Sequence, residues 1–255
     1  MPLSLDLTGR LAVVTGGVRG VGLGITRALL DAGADVVAVA RREPGSLPEA
    51  AGRGATFASV DVRDEAAVQA FFDGLDRVDV LVNNAGGTPF LPLAEGEIRT
   101  HAKIIELNLT SALIMSRAAN ARMQAQEGGG SIIMISSVSG VRPSPGSAAY
   151  GAAKAGLDSL ATSLAVEWAP RVRVNSLTLG MVRTEQSHLH YGDEAGIAAV
   201  ERTIPLGRMA DPYDIGAACA FLASDLAGYV SGSALLMHGG GERPAFLDAA
   251  TANRE

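Results

Sequence analysis

The sequence predicts a single α/β domain built on a doubly wound parallel sheet of about seven strands, with helices on both faces. Three observations carry this expectation. Short β-branched apolar runs alternate with segments of helical period along nearly all of the 255 residues. Strands such as DVVAVA (Asp35 to Ala40) are almost continuously apolar, as strands covered on both faces should be. The connections are too long for hairpins and no polar linker divides the chain, so one domain is expected over residues 1–255.

The elements follow in order. Arg10 to Val14 (RLAVV) reads as the first strand, ending at Thr15-Gly16-Gly17. The next segment, VGLGITRALLDAG, has apolar residues at helical spacing and closes at Gly33. Asp35 to Ala40 completes a βαβ unit. The stretch from Arg42 to Gly54 is short for a full helix. A third strand is expected at Ala55 to Val60, a helix from Asp64 to about Gly74 with Asp64 as N-cap, and a fourth strand at Val78 to Val82.

One long helix is expected from Glu97 to about Gln124, apolar on more than one face. Ser131 to Ser136 is a buried strand, and Ser139 to Ser147 a Gly/Pro/Ser turn region. An Ala-rich helix then runs from Ala148 to Ala169. Arg171 to Leu177 and Ala234 to Met237 supply two more strands, with a helix at Pro212 to Ala223 between them. Residues 185–209 are mixed and weakly periodic, which reads as a lid, and residues 242–255 form a polar tail.

Composition narrows the function. The net charge of -6 and pI near 5.3 disfavour nucleic acid and anionic membranes as partners and favour a small molecule. The amino terminus has no basic start followed by a long apolar core, and no apolar run is long enough to span a bilayer. A lone cysteine, Cys219, permits no internal disulfide and suits a reducing cytoplasm. His101 is expected on a helix surface, with His188 and His190 in the loose loop. No carboxylates stand at ligand spacing beside them, so no metal is expected.

Gly16, Gly20 and Gly22 sit where the first strand turns into the first helix. Glycines there let the backbone approach a pyrophosphate, which the free N–H groups and dipole of the helix would favour. The spacing is G-x-x-x-G-x-G, not G-x-G-x-x-G, because Ile25 stands where the third glycine belongs. After the second strand come Ala40, Arg41 and Arg42, with Arg19 in the glycine turn. Guanidiniums in that corner match the 2′-phosphate of NADP(H), where an acid would match the ribose of NAD(H); the alternative is solvated surface charge. Asp61 either accepts from an adenine amino group or caps a turn. Asn83-Asn84-Ala85-Gly86 closes the fourth strand, where the amides either tie loops together or meet the cofactor.

Ser137 ends its strand, and Tyr150 and Lys154 lie four apart on the following helix, on one face. Only two of the 21 basic residues are lysines, so a lysine here has a reason. The hydroxyl, phenol and amine together suit proton chemistry on a carbonyl or alcohol.

Taken in order, Thr15-Gly16-x-x-x-Gly20-x-Gly22, Asn83-Asn84-Ala85-Gly86, Asn108, Ser137, Tyr150-x-x-x-Lys154 and Gly180-x-x-x-Thr184 give the chain a resemblance to the short-chain dehydrogenase/reductase family. The resemblance covers nearly the whole length and implies a Rossmann-like NAD(P)-binding domain. It implies that Tyr150 is the general acid in reduction and the base in oxidation, with Lys154 lowering the phenol pKa and holding the nicotinamide ribose. Ser137 would bind the substrate oxygen, and Asn108 would hold a water linking Lys154 to solvent. Cofactor contacts are expected from Gly16, Arg19, Gly20, Val21, Gly22, Arg41, Asp61, Val62, Asn83, Ala85, Gly86, Tyr150, Lys154, Gly180, Val182 and Thr184.

The chain departs from the family's pattern twice: Leu179 stands where proline usually precedes Gly180, and His238-Gly239-Gly240 replaces Asp-Gly-Gly. The reading is an NADP(H)-dependent oxidoreductase interconverting a ketone and a secondary alcohol, homotetrameric and cytoplasmic. An NAD-linked alcohol dehydrogenase and a non-catalytic nucleotide-binding regulator are the alternatives. Leu189, Tyr191 and Ile197 point to an apolar or partly apolar substrate.

Overall fold

A computed structural model describes residues 4–252. Its sheet has seven strands in the order β5-β2-β1-β6-β7-β8-β9, every pair parallel. These are β1 (Leu11–Thr15), β2 (Asp35–Ala40), β5 (Thr56–Ser59), β6 (Val80–Asn83), β7 (Gly130–Ser137), β8 (Val172–Leu179) and β9 (Ala234–Met237). The order reverses between β1 and β6. In open parallel sheets the crevice beyond the strands' carboxyl ends at such a reversal is where ligands bind.

Each face of the sheet carries its own core. On one side α1 (Gly20–Asp31) and α8 (Pro212–Ala223) bury Ile25, Leu29, Ile215 and Leu222 against β1, β6, β7 and β8. On the other, α2 (Glu65–Asp73), α4 (Ser111–Ala125) and α5 (Ala148–Glu167) bury Phe72, Met115, Met123 and Leu157. Alternate residues of one strand feed opposite cores: Val14 joins the first and Val13 the second. Asp64 caps α2 by accepting from the Ala67 N–H, as its position predicts.

The segment after β2, short for a full helix, holds a small antiparallel hairpin, β3 (Glu49–Ala50) and β4 (Arg53–Gly54), because Ala51 and Gly52 take positive φ and reverse the chain. One expectation is corrected. The long helix is interrupted: α3 (Ile98–Ile105) and α4 are joined by a π-helical turn, Glu106–Thr110. The loose segment after β8 contains α6 (His188–Tyr191) and α7 (Glu194–Glu201), and Ile197, Ile204 and Met209 form a small core of its own. Ile197 is buried within this core and also lines the cleft that opens between the lid and α1.

The tail forms one short helix, α9 (Ala245–Ala249), and its last residues, 253–255, lie outside the described residues, as do residues 1–3 at the amino terminus. Among the described residues no helix is long and apolar enough to cross a membrane.

Candidate active site

Thr15, Asn83, Ser137 and Leu179 are last residues of their strands, so the parallel register brings them to one edge of the sheet. The glycine turn leaves β1 at this edge. Gly16 and Gly20 have φ of +64° and +53°, a region that penalises any side chain. Gly22 faces the turn closely enough that a Cβ there would stand 2.6 Å from the Asn84 amide nitrogen and nearer still to the Gly16 carbonyl oxygen. Arg19 is the N-cap of α1 with its side chain exposed and not capping, so it satisfies none of the first N–H groups of the helix. Val21 packs half-buried against the α1 side of the core.

The turn is held by Thr15 and Asn84, neither of them among the expected cofactor contacts. Thr15 accepts from the backbone N–H groups of both Asn84 and Ala85, each at 2.9 Å, through one buried hydroxyl. The Asn84 side chain donates to the Thr15 carbonyl at 2.8 Å. Asn83 points the other way: it is buried and donates to the Ser116 hydroxyl at 2.8 Å, so its side chain ties β6 to α4. Alternation along a strand explains the split, since successive side chains leave opposite faces.

At the far corner, Arg41 is exposed just beyond β2, and Asp61 and Val62 follow β5. Both Asp61 oxygens accept from the Arg63 guanidinium, at 2.9 and 2.6 Å, and its Oδ1 also accepts from the Arg63 N–H. Asp61 thus braces its own turn through Arg63. Arg63 lowers its carboxyl to about 2, with a smaller contribution from Arg41. Arg63 adds a guanidinium to this corner that the sequence pattern did not single out. The Val62 side chain is buried in the core, leaving only backbone to face a ligand.

Lys154 is fully enclosed between α5 and β7 and donates to the Ile135 carbonyl at 2.7 Å, while Ser136 donates to the Lys154 carbonyl at 3.0 Å. This pair of bonds clips α5 to the strand. The ammonium lies 5.4 Å from the centre of the Tyr150 ring, so the expected shared face is real. Burial pulls Lys154 down to about 8, against a smaller opposing influence from Asp158. Tyr150 moves up: burial is the main cause, the neighbouring Ser137 hydroxyl works against it, and Tyr191 of the lid adds to it. The lowering expected of Tyr150 is therefore not a property of the protein alone.

Asn108 lies in the π-helical turn, buried, and its side chain is saturated by the backbone. It accepts from the Gly87 N–H and donates to the Gly87 and Ile104 carbonyls, all at 2.9 Å. Both amide N–H groups are thus committed, and the amide oxygen keeps one acceptor site. A Cβ on Gly86 would sit 2.5 Å from the Asn108 amide oxygen and 3.5 Å from the Lys154 nitrogen, so this glycine keeps a space open between them.

On the other rim, the Gly180 N–H donates to the Met237 carbonyl at 2.8 Å, and a Cβ there would meet His238. Leu179, in place of proline, is an ordinary strand residue paired with Met237. Val182 forms an isolated parallel bridge with Ala210, and Thr184 approaches Gly20 across the top of the glycine turn. Beside them a cleft of about 550 Å³ lies between Gly20, Arg27, Thr184, His188 and Tyr213; Tyr150 is not part of it.

His101 corrects its expectation: it is buried, with Nε2 against the Glu95 carbonyl at 3.0 Å. Among the described residues no group of three His, Cys, Asp or Glu side chains is placed to hold a metal.

The chain matches relatives over the same residues that build this site. A family model described as enoyl-(acyl carrier protein) reductase matches residues 16–242. The chain is 37% identical to 3beta-hydroxysteroid dehydrogenase 1 of Eggerthella lenta, over 92% of this chain and 94% of that one. It is 36% identical to a 3-oxoacyl-(acyl-carrier-protein) reductase of Vibrio cholerae, over 92% and 98% respectively. Among solved structures, an NAD(P)-dependent gluconate 5-dehydrogenase described from Beutenbergia cavernae, with NADP bound at low occupancy, superposes with a TM-score of 0.84 at 33% identity, covering 93% of this chain and 98% of that one. The matched relatives are named as dehydrogenases and reductases and the match spans the glycine turn, the Tyr150 helix and the sheet between them, so the chain belongs to the short-chain dehydrogenase/reductase family of oxidoreductases.

Proposed function

We propose that the protein is an NADP(H)-dependent oxidoreductase that interconverts a ketone and a secondary alcohol, with Tyr150 as the proton donor and acceptor. The observation that carries this reading is the buried Lys154 ammonium beside the Tyr150 ring, next to Ser137 at the end of β7. The cradle fits a dinucleotide: Gly16, Gly20 and Gly22 leave backbone where a side chain would block approach, and the start of α1 offers unpaired N–H groups to a pyrophosphate. When bound, such a cofactor supplies or accepts hydride.

The chain's own residues do the rest. Ser137 holds the substrate oxygen by hydrogen bond. Tyr150 donates its phenolic proton to that oxygen in reduction, a task open to a phenol, which is protonated at neutral pH and which burial moves further from ionisation. In the reverse direction positive charge from Lys154 and the oxidised cofactor favours the phenolate. Replacing Tyr150 by Phe should cut turnover of NADPH with a responsive ketone by roughly 10²-fold or more. Undiminished turnover in that variant would sink the mechanism.

The preference for NADP(H) over NAD(H) rests on Arg41, exposed beyond β2, with Arg63 nearby through their shared influence on Asp61. Guanidiniums pair well with a phosphate dianion. Arg41→Glu should weaken NADPH by about tenfold or more and spare NADH, measured as the ratio of the two kcat/KM values; an unchanged ratio refutes the assignment. We place the enzyme in the cytoplasm as a homotetramer, a reading supported by the single buried cysteine and by apolar side chains left exposed on α4 and α5.

A further inference from the structure

One ionisable side chain on the inner part of α5 has no place in the chemistry above. Asp158 follows Lys154 by one helical turn, and helical side chains lean toward the helix N-terminus, so its carboxylate covers the turn that carries Lys154. Both of its oxygens are buried, and neither has a hydrogen-bond partner among the described residues. A carboxylate in that condition is costly, and the fold that retains it must supply a compensating charge. The cation at helical spacing from it on α5 is Lys154, which feels its charge without forming a direct ion pair. It spends one N–H on the Ile135 carbonyl, and it lies in the protein interior where an ammonium is equally costly.

We propose that Asp158 is the counter-charge of Lys154, a positioning residue that keeps the buried ammonium protonated from one turn further along α5 without touching substrate or cofactor. The functional importance of that ammonium rests on the reading of the site given above; the electrostatic coupling does not.

Among the described residues no other group packed against this part of α5 takes the role. From β7, Ile135 offers a carbonyl and Ser137 a neutral hydroxyl. From the π-helical turn, Asn108 is neutral and committed to Gly87 and Ile104. On the neighbouring helical segments Lys103 and Glu106 are exposed. Arg173 of β8 donates to the Leu222 and Val230 carbonyls, and Arg142 in the preceding turn is paired with Glu242 at 2.6 Å. On α5 itself the remaining neighbour is Tyr150, whose ring faces the ammonium. Burial lowers Lys154 to about 8 and Asp158 opposes that fall, so loss of the carboxylate charge should bring deprotonation of Lys154 toward neutral pH.

The chain offers a direct test, because Lys103 and Lys154 are its only lysines. Protein grown with lysine labelled by 13C at Cε should give two titrating side-chain signals, and Lys103→Arg identifies which is which. In the full chain the Lys154 signal is expected to titrate near 8. In Asp158→Asn its midpoint should fall by about one pH unit, with Lys103 unmoved as the internal reference, and Asp158→Glu should restore most of the shift. Asp158→Ser, a smaller neutral replacement, serves if the asparagine variant does not fold. A Lys154 midpoint that stays in place in the neutral variants overturns the proposal. The titration needs no turnover, so an active Tyr150→Phe enzyme would sink the catalytic reading and leave this one standing.

Discussion

A methyl group placed on Gly22 would stand 2.6 Å from the Asn84 amide nitrogen and would press on the Gly16 carbonyl. Neither neighbour can move freely, since Asn84 is tied to Thr15 and Gly16 is bonded to the Val39 carbonyl through its N–H at 2.7 Å. Gly22→Ala should therefore cost about 1–3 kcal/mol of stability and weaken NADPH by tenfold or more, read by thermal melting and by quenching of protein fluorescence. Gly45→Ala is the control, because nothing lies within 4 Å of its Cβ position. Equal behaviour of the two variants would remove the close-packing argument. The glycines were legible because their spacing at a strand-to-helix turn has one economical explanation. The fates of Asn83 and Asn84 were not: alternation says that two successive amides part company, but which one enters the core depends on Ser116, 33 residues further along the chain. His101 failed for the same reason, since the Glu95 carbonyl that buries it is positioned by a loop, not by helical period.

Between elements, the closest approach on the α1 side is the crossing of α1 and α8. A Cβ on Gly216 would meet the Gly24 carbonyl oxygen at 2.5 Å and the Ala28 Cβ at 2.6 Å, while one on Gly24 would run into the Pro212 backbone. Reciprocal glycines let the two helices touch main chain to main chain, with α8 fixed at its start by Asp211 and Asp214 in a capping box. Gly24→Val should force them apart, costing about 1–3 kcal/mol or more and lowering the melting temperature by several degrees. Unaltered melting would mean that the helices separate at no cost. Because α1 carries the glycine turn at its start, the same variant should also bind NADPH less tightly. Elements of strong period, such as β2 and α8, were read from sequence to the residue. The π-helical turn was not, because one extra residue in a turn shifts the apolar pattern by less than the scatter of an all-round apolar helix. Yet that turn is what presents Asn108 to Gly87. The hairpin β3–β4 and the lid helices were missed because each is too short to show a period.

For the whole molecule, the unresolved balance is between the well-filled interior and an apolar outer surface on the α4–α5 side. Both helices cover the same face of the sheet, yet Leu113 of α4 remains 47% exposed and Val166 of α5 80% exposed. The outward side of α5 is otherwise made of small residues, Ala152, Ala155 and Ser159 among them, which would let another helix approach closely. Isolated apolar side chains on a surface are ordinary, but on helices that show so little polar face they are better explained by self-association, and a closed symmetric assembly is the usual outcome. Light scattering should report four times the chain mass at micromolar concentration. Leu113→Glu combined with Val166→Glu should reduce that mass to a dimer or monomer with the far-ultraviolet circular dichroism unchanged, since both positions face outward and a buried unpaired carboxylate is tolerated at neither once a partner covers it. A monomeric wild-type protein, or an assembly indifferent to both charges, would show that these helices face solvent.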